Sequence, residues 1–135
     1  MKHLFVILCF LSTPLQLIAT ESAEKSNETQ LTDKLNGTTL TYTYSGGWKF
    51  TIKYSSDGVS YTMHNYNTPW SKLFPYKSIE VSKDVYFTSW FDTGRNDYVT
   101  HLIDLNKKHL YGSVLLDKKK IHFEQAIINE IKSAR

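Results

Sequence analysis

Two tyrosines spaced two apart, Tyr42 and Tyr44, are the residues in this 135-residue chain whose arrangement most suggests chemistry. On a β-strand, positions i and i+2 point to the same face. Two phenols so placed can donate two hydrogen bonds to one anionic group, a geometry that suits a carboxylate. The plain alternative is that both rings are interior wall, with their hydroxyls satisfied locally. Trp48, Tyr61, Trp90 and Tyr111 fall in the same alternating stretch and are candidates to line a pocket with the tyrosine pair. Large aromatic rings serve a core and a pocket equally well. His64, His101, His109 and His122 lack metal-site spacing, so structural or solvent-facing roles are expected and no metal is assigned. His101 and His109 could still meet across one hairpin. Asp92, Arg95 and Asp97 lie around a turn and read as a solvated polar loop. Lys118-Lys119-Lys120 reads as a charged hairpin tip, too short for a nucleic-acid footprint. The sequence has no useful glycine-rich phosphate loop, no nucleophile elbow and no solenoid repeat.

Residues that act together must be held together, and the pattern from Thr38 onward says how. Apolar and polar residues alternate with period two, β-branched and aromatic types dominate, and turn residues punctuate the runs. Strands are expected over Thr39 to Tyr44, Trp48 to Tyr54, Val59 to His64, Tyr76 to Val81, Val85 to Phe91, Asp97 to Asp104 and His109 to Leu116. Ser45-Gly46-Gly47 and Ser56-Asp57-Gly58 supply tight turns, the latter with an Asp-Gly pair suited to positive φ. Asn65 to Phe74 breaks the rhythm with Pro69 and reads as a longer loop folded across one end of the sheet. In Lys120 to Arg135, Ile121, Phe123, Ile127 and Ile131 share a strand parity, while the last three also share a helical face. A strand through about Ala126 is expected, with strand or helix open beyond it. Seven or eight short strands without intervening helices cannot form a parallel sheet, which needs crossover connections. An antiparallel up-and-down meander remains. A sheet of that many strands removes its exposed edges by closing, and about eight strands enclose room for side chains or one small ligand.

Met1-Lys2-His3 followed by the apolar run Leu4 to Leu11 and a small, polar stretch reads as a secretory signal, too short to span a bilayer. Residues 1–19 are expected to be the signal peptide, with cleavage possible as late as 23, so a secreted or periplasmic location follows. Residues 20–36 read as a flexible leader and 37–135 as the barrel domain. Without the signal the chain carries 15 basic and 13 acidic residues, about +2, too mild to imply nucleic acid or a membrane surface. Cys9, the only cysteine, lies within the signal, so no disulfide is expected. Asn27-Glu28-Thr29 and Asn36-Gly37-Thr38 fit the glycosylation tripeptide, but neither is expected to be modified.

Tyr42-Thr43-Tyr44-Ser45-Gly46-Gly47-Trp48, Tyr61-Thr62-Met63-His64, Val85-Tyr86-Phe87-Thr88-Ser89-Trp90 and His109-Leu110-Tyr111-Gly112 resemble, in order and near-matching spacing, segments of the phenolic acid decarboxylases. The MoaF-type calycin domains look similar through Tyr76 to Asp104. Both groups are small calycin-like barrels, similar to lipocalins, and the likeness spans Leu40 to Leu116. The resemblance implies a cofactor-free lyase in which Tyr42 and Tyr44 hold the substrate carboxylate and Asp92, two after Trp90, carries the proton. The decarboxylases have Glu where Asp92 stands, an Arg where the chain has none near Pro69, and a long C-terminal extension that is missing. The preferred expectation is therefore an exported binding module for a small aromatic or carboxylate ligand, using Tyr42, Tyr44, Trp48, Tyr61, Trp90 and Tyr111. The lyase is the alternative, and a solidly filled barrel working through the loop Asn65 to Phe74 is the third reading. No cofactor and no nucleic acid are expected, and the oligomeric state is open, a dimer included.

Overall fold

The computed structural model describes residues 29–133, and in it the alternating stretch folds as eight antiparallel strands. They are β1 (Thr38–Tyr44), β2 (Lys49–Ser55), β3 (Gly58–Met63), β4 (Tyr76–Ser82), β5 (Val85–Asp92), β6 (Asp97–Asp104), β7 (His109–Leu116) and β8 (Lys120–Ser133). A single 3-10 turn, His64–Tyr66, follows β3. The signal peptide read over residues 1–19 and the tripeptide at Asn27 lie outside the described residues. Period two governs burial. Leu40, Ile52, Tyr54, Val59, Tyr86, Trp90, Ile103, Leu110 and Ile128 face inward and form the core. Asp117 and Lys118 both take positive φ in the tight turn from β7 to β8, closed by Lys119 N donating to Leu116 O at 2.9 Å. Two positive φ values match the right-handed twist of the flanking strands.

The strand order is β3-β2-β1-β8-β7-β6-β5-β4, so the first and last strands pair and the break in the ring falls between β3 and β4. Where a closed barrel was expected, the sheet is a strongly curled half-barrel. The reason lies in the 64–75 connection, which runs back along the free edge of β3 instead of crossing the end of the sheet. Ser71 N donates to Tyr61 O at 2.8 Å, and Val59 and Phe74 exchange two backbone hydrogen bonds of 2.9 Å. Thr68 Oγ1 accepts from Met63 N at 2.9 Å. The edge of β3 is thereby satisfied by a segment containing Pro69 and Pro75, which cannot continue a ladder. On the opposite edge, Thr32 N donates to Ser78 O of β4 at 2.8 Å, and Lys34 pairs with Glu80. The last residues of the leader stretch thus pack on the sheet. Leu35 is buried, Gly37 N donates to Tyr54 O at 2.8 Å, and Asn36 Oδ1 accepts from the Tyr76 hydroxyl at 2.6 Å.

β8 settles the ambiguous C-terminal stretch as strand through Ser133, beyond the expected end near Ala126. It contains a bulge. Thr41 pairs with Glu130 and Tyr42 with Ile128, which leaves Asn129 as the extra residue. A bulge shifts alternation by one. Ile121, Phe123 and Ile127 therefore face outward while Ile131 packs against the core, so the shared parity read from the sequence does not hold across Asn129. Asn129 Oδ1 accepts a 2.7 Å hydrogen bond from Thr43 Oγ1, which fixes the bulge.

The seam has one strict requirement. Gly58 has φ of 139°, and a Cβ there would lie 2.6 Å from Phe74 O. Gly58→Ala should lower unfolding free energy by about 2 kcal/mol in urea titrations, through strain and the pushed-apart seam. An unchanged midpoint would show that the contact between β3 and Phe74 is dispensable.

Candidate ligand cleft

Inward residues of adjacent strands align in rows along the hydrogen-bonding direction. One row, Ser78, Thr88, His101, Gly112 and Glu124, crosses β4 to β8 and is polar throughout. The next row, towards the open end, is Tyr76, Trp90, Val99, Val114 and His122. Gly112 leaves a gap in the polar row, and Tyr44 of β1 reaches across to fill it. A Cβ at that position would overlap the Tyr44 hydroxyl, so only glycine admits the phenol. The hydroxyl pairs with His101 Nε2 at 3.1 Å. Tyr42 lies beside it on the same face, its ring edge-on to Tyr44 at 5.3 Å and stacked on Phe50 at 5.8 Å. Burial pushes both phenols well above the usual tyrosine range, so they stay neutral.

Above these rings opens a cleft of about 380 Å³. Tyr42, Tyr44, Phe50, Tyr61 and Trp90 wall it, and Trp48 and Tyr66 stand at its mouth with ring centroids 5.5 Å apart. Their two turns are tied together by Asn65, which accepts from Lys49 N at 2.7 Å and donates to Gly47 O at 3.1 Å. The lining also includes Arg95, Asp97, Glu124 and the His122 imidazole. Glu124 accepts from Ser45 Oγ at 3.1 Å, from Gly46 N and from His122 Nε2 at 3.0 Å. Partial burial raises its pKa, but the hydrogen bonds from His122, Gly46 and Ser45 outweigh that and hold it below the usual value.

The turn after β5 is not the solvated loop expected of it. Asp92 is 3% exposed and Asp97 6%. Asp92 Oδ1 accepts from Gly94 N at 2.9 Å and Arg95 N at 3.1 Å, while Oδ2 accepts from the Tyr61 hydroxyl at 2.5 Å. Burial first, then the Asp92 hydrogen bond, raises the Tyr61 phenol above its usual range, with Arg95 opposing. Asp97 Oδ2 takes Arg95 Nε at 3.1 Å, and Oδ1 accepts from Asp117 N at 2.8 Å. Buried acids are costly unless fully hydrogen-bonded. Here their donors are the turn's own backbone, Asp117 N of the β7–β8 turn, Tyr61 and Arg95, so the two acids hold Arg95 at both its main chain and its side chain.

Of the residues expected at a pocket, Tyr42, Tyr44, Trp48, Tyr61 and Trp90 do line the cleft. Tyr111 does not. It opposes Gln125 on the outer face and is 39% exposed, because β7 turns its odd positions outward. Asp92 points inward, yet both of its oxygens are engaged and it is not part of the lining. His101 and His109 are not neighbours: His101 opposes Gly112 inside the sheet, whereas His109 opposes Asp104 outside it. Among the described residues, no group of three or more His, Cys, Asp or Glu side chains is placed to hold a metal. Phe50, Tyr66, Arg95, Asp97 and His101 escaped the sequence reading. Parity with Val99 and Ile103 was the signal that could have placed Asp97 and His101 inside.

His101 is fully enclosed, edge-on to Trp90 at 4.9 Å, and burial lowers its pKa to about 3. An unfolded histidine takes up a proton near pH 6.5, which the folded form resists. Its stabilising contribution is therefore complete above pH 6.5 and is lost as pH falls towards 3. The stability advantage of the wild type over His101→Asn should shrink across that window by up to about 1.4 kcal/mol per pH unit. A difference that stays constant from pH 7 to about 4.5 in urea unfolding would rule out a buried neutral histidine.

No curated protein matches the chain. Among solved structures, a Burkholderia vietnamiensis protein provisionally described as a beta-lactamase superposes with a TM-score of 0.62 at 17% identity, over 74% of this chain and 95% of that one. At that identity the likeness is one of fold. The family model for the MoaF N-terminal domain matches residues 19–114, from ahead of β1 to Val114 in β7, and so takes in most of the cleft lining. Eight curled antiparallel strands around an aromatic cluster, and a match over well more than half the sequence, place this chain in the MoaF N-terminal domain family.

Proposed function

We propose that the chain is a small-molecule-binding module whose cleft takes one planar aromatic ligand bearing a carboxylate or another hydrogen-bond acceptor. The observation that carries this reading is the cleft itself: about 380 Å³ with seven aromatic side chains in its lining and a positioned guanidinium at its rim. That volume lies within the range of sites for single small molecules, and such sites combine apolar walls with a few convergent polar groups. The ring of the guest would pack on Phe50, Tyr61 and Trp90 and be covered by Trp48 and Tyr66. Its acceptor would meet Arg95. The tyrosine pair is less free for that task, since the Tyr44 hydroxyl already pairs with His101 and Tyr42 is 3% exposed. Trp90 Nε1 and His101 Nδ1 lack partners among the described residues, and a guest or water reaching the cleft floor would satisfy them. The signal-like start of the sequence supports placing this module outside the cytoplasm. No observation favours the lyase, because the proton carrier expected of it, Asp92, is committed to Tyr61 and the turn.

Titrating the protein with p-coumaric and ferulic acids and with their methyl esters should quench tryptophan fluorescence, through Trp48 and Trp90. Arg95→Met should weaken the acids about three- to tenfold, since the guanidinium is half exposed and already paired, while the esters change less. Trp48→Ala should weaken acids and esters alike. Absence of quenching by every probe would defeat the binding reading, and loss of the acids' absorbance through decarboxylation would move the assignment to the lyase.

A further inference from the structure

We propose, resting on the binding reading above, that the cleft selects guests with two unlike ends: an anionic group held by Arg95 at the rim and an uncharged hydrogen-bond acceptor set against Trp90 and His101 at the floor. Trp90 is 4% exposed and His101 1%, both line the cleft, and their rings meet edge to face at 4.9 Å. Trp90 Nε1 and His101 Nδ1 have no hydrogen-bond partner among the described residues. An indole N–H only donates. The imidazole is fixed from its other side: the Tyr42 hydroxyl donates to that of Tyr44, which is thereby left to donate to His101 Nε2 at 3.1 Å. The proton of the neutral imidazole then sits on Nδ1. Thr88 stands opposite His101 on β5 but does not receive it, since the Thr88 hydroxyl is itself without a partner among the described residues. The floor thus presents two donors with no acceptor.

The charges of the lining stand elsewhere. Arg95 and Asp97 pair at the β5–β6 turn, and Glu124 is tied to the β1–β2 turn through Ser45 and Gly46, with His122 beside it. At the floor, burial keeps His101, Tyr42 and Tyr44 neutral. A carboxylate driven there would exchange water for dipoles and ring faces without a counter-charge, and burying an unpaired charge is the costlier error. An uncharged carbonyl gives up far less hydration and meets N–H groups that lack an acceptor. Because neither nitrogen touches bulk solvent, such bonds form without competition from water. At the rim the order reverses, since the half-exposed Arg95 guanidinium favours an anion. The guest therefore enters with its uncharged end first. The tyrosine pair, expected from the sequence to grip a carboxylate, instead holds His101 in its donating tautomer.

Three substituted cinnamic acids separate the two ends. The para-acetyl and para-isopropyl acids have nearly the same shape, but only the first carries an acceptor, while the para-carboxy acid carries a second charge. In calorimetric titrations the acetyl acid should bind about tenfold tighter than the isopropyl acid, the effect of two ordinary hydrogen bonds. The dicarboxylic acid should bind roughly a hundredfold weaker than the acetyl acid. Trp90→Phe keeps a ring in the wall and removes the N–H, so the acetyl preference should fall to about threefold, the share left to His101. In the unaltered protein, the assigned Trp90 indole N–H resonance should move downfield with the acetyl acid and not with the isopropyl acid, which tests the same contact if the variant fails to fold. Equal affinity for the acetyl and isopropyl acids, a preference untouched by Trp90→Phe, or an indole resonance that does not move overturns the two-ended cleft while leaving aromatic binding in place. So does a dicarboxylic acid bound as tightly as the acetyl acid. No binding by any of the three overturns both readings together.

Discussion

The pairing of β8 with both β7 and β1 is the contact on which the rest of the structure depends. It joins the meander β4 to β7 to the hairpin pair β1 to β3, and among the described residues no other pairing of named strands connects those halves. Residues 120–127 of β8 serve β7 and residues 126–133 serve β1, with the bulge at Asn129 in the second part. This register sets Tyr44 opposite Ala126, beside the gap at Gly112, and so brings its hydroxyl to His101. The two walls of the cleft come from the two halves: Tyr42, Phe50 and Tyr61 from one, Trp90, Val99 and Arg95 from the other. The cleft is therefore a product of the β1–β8 join. A one-residue slip in that join would turn Tyr42 and Tyr44 outward.

Within the cleft, burial governs the chemistry more than charge does. His101 and the two phenols are held neutral by desolvation, so the floor presents dipoles and ring faces. The charges lie at the rim, and each is balanced there: Arg95 by Asp97, and Glu124 by the Ser45-Gly46 turn and His122. Removing a partner from a buried ionic contact typically costs a few kcal/mol, whereas exposed pairs contribute less than about 1 kcal/mol. The Asp97 carboxylate is buried while its partner Arg95 is half exposed, whereas Lys119 and Asp117 are both exposed. Asp97 thus fixes the Arg95 side chain at the rim with one oxygen and, with the other, ties this turn to the β7–β8 turn through Asp117 N.

Strand positions were legible in the sequence because alternation and turn residues act locally. Seven of the strands begin and end within a residue or so of the expected bounds, from Thr38–Tyr44 to His109–Leu116. The seam and the bulge were not legible, since each depends on distant partners. Nothing around Asn129 announces that Thr43 will bond to it, and nothing in Asn65 to Phe74 announces the free edge of β3. The aromatic part of the site followed from parity within single strands. Arg95 did not, because its position depends on acids that look like ordinary turn residues until the fold buries them. Tyr111 lies outside for the converse reason: aromatic character signals the interior only where the other face is polar, and on β7 Leu115 faces outward too.

The outward position of Tyr111 bears on how the two faces of the sheet are related. A strand polar on one side and apolar on the other announces its inside, as β1 does with Leu40, Tyr42 and Tyr44 against Thr39, Thr41 and Thr43. β5 and β7 are apolar on both sides, a pattern proper to strands covered on both faces. In this half-barrel the inner cover is the opposite wall of the cleft, and on the outside the Lys118 ammonium lies 5.5 Å from the centre of the Phe91 ring. The cost of exposing Phe87, Phe123 and Ile121 is of the order of 1–2 kcal/mol each, at about 25 cal/mol per Å² of apolar surface. Aromatic character therefore marks the inside on β1, where the other face is polar, and cannot mark it on β5 or β7, where Phe87, Phe91, Tyr111 and Leu115 lie outward as well.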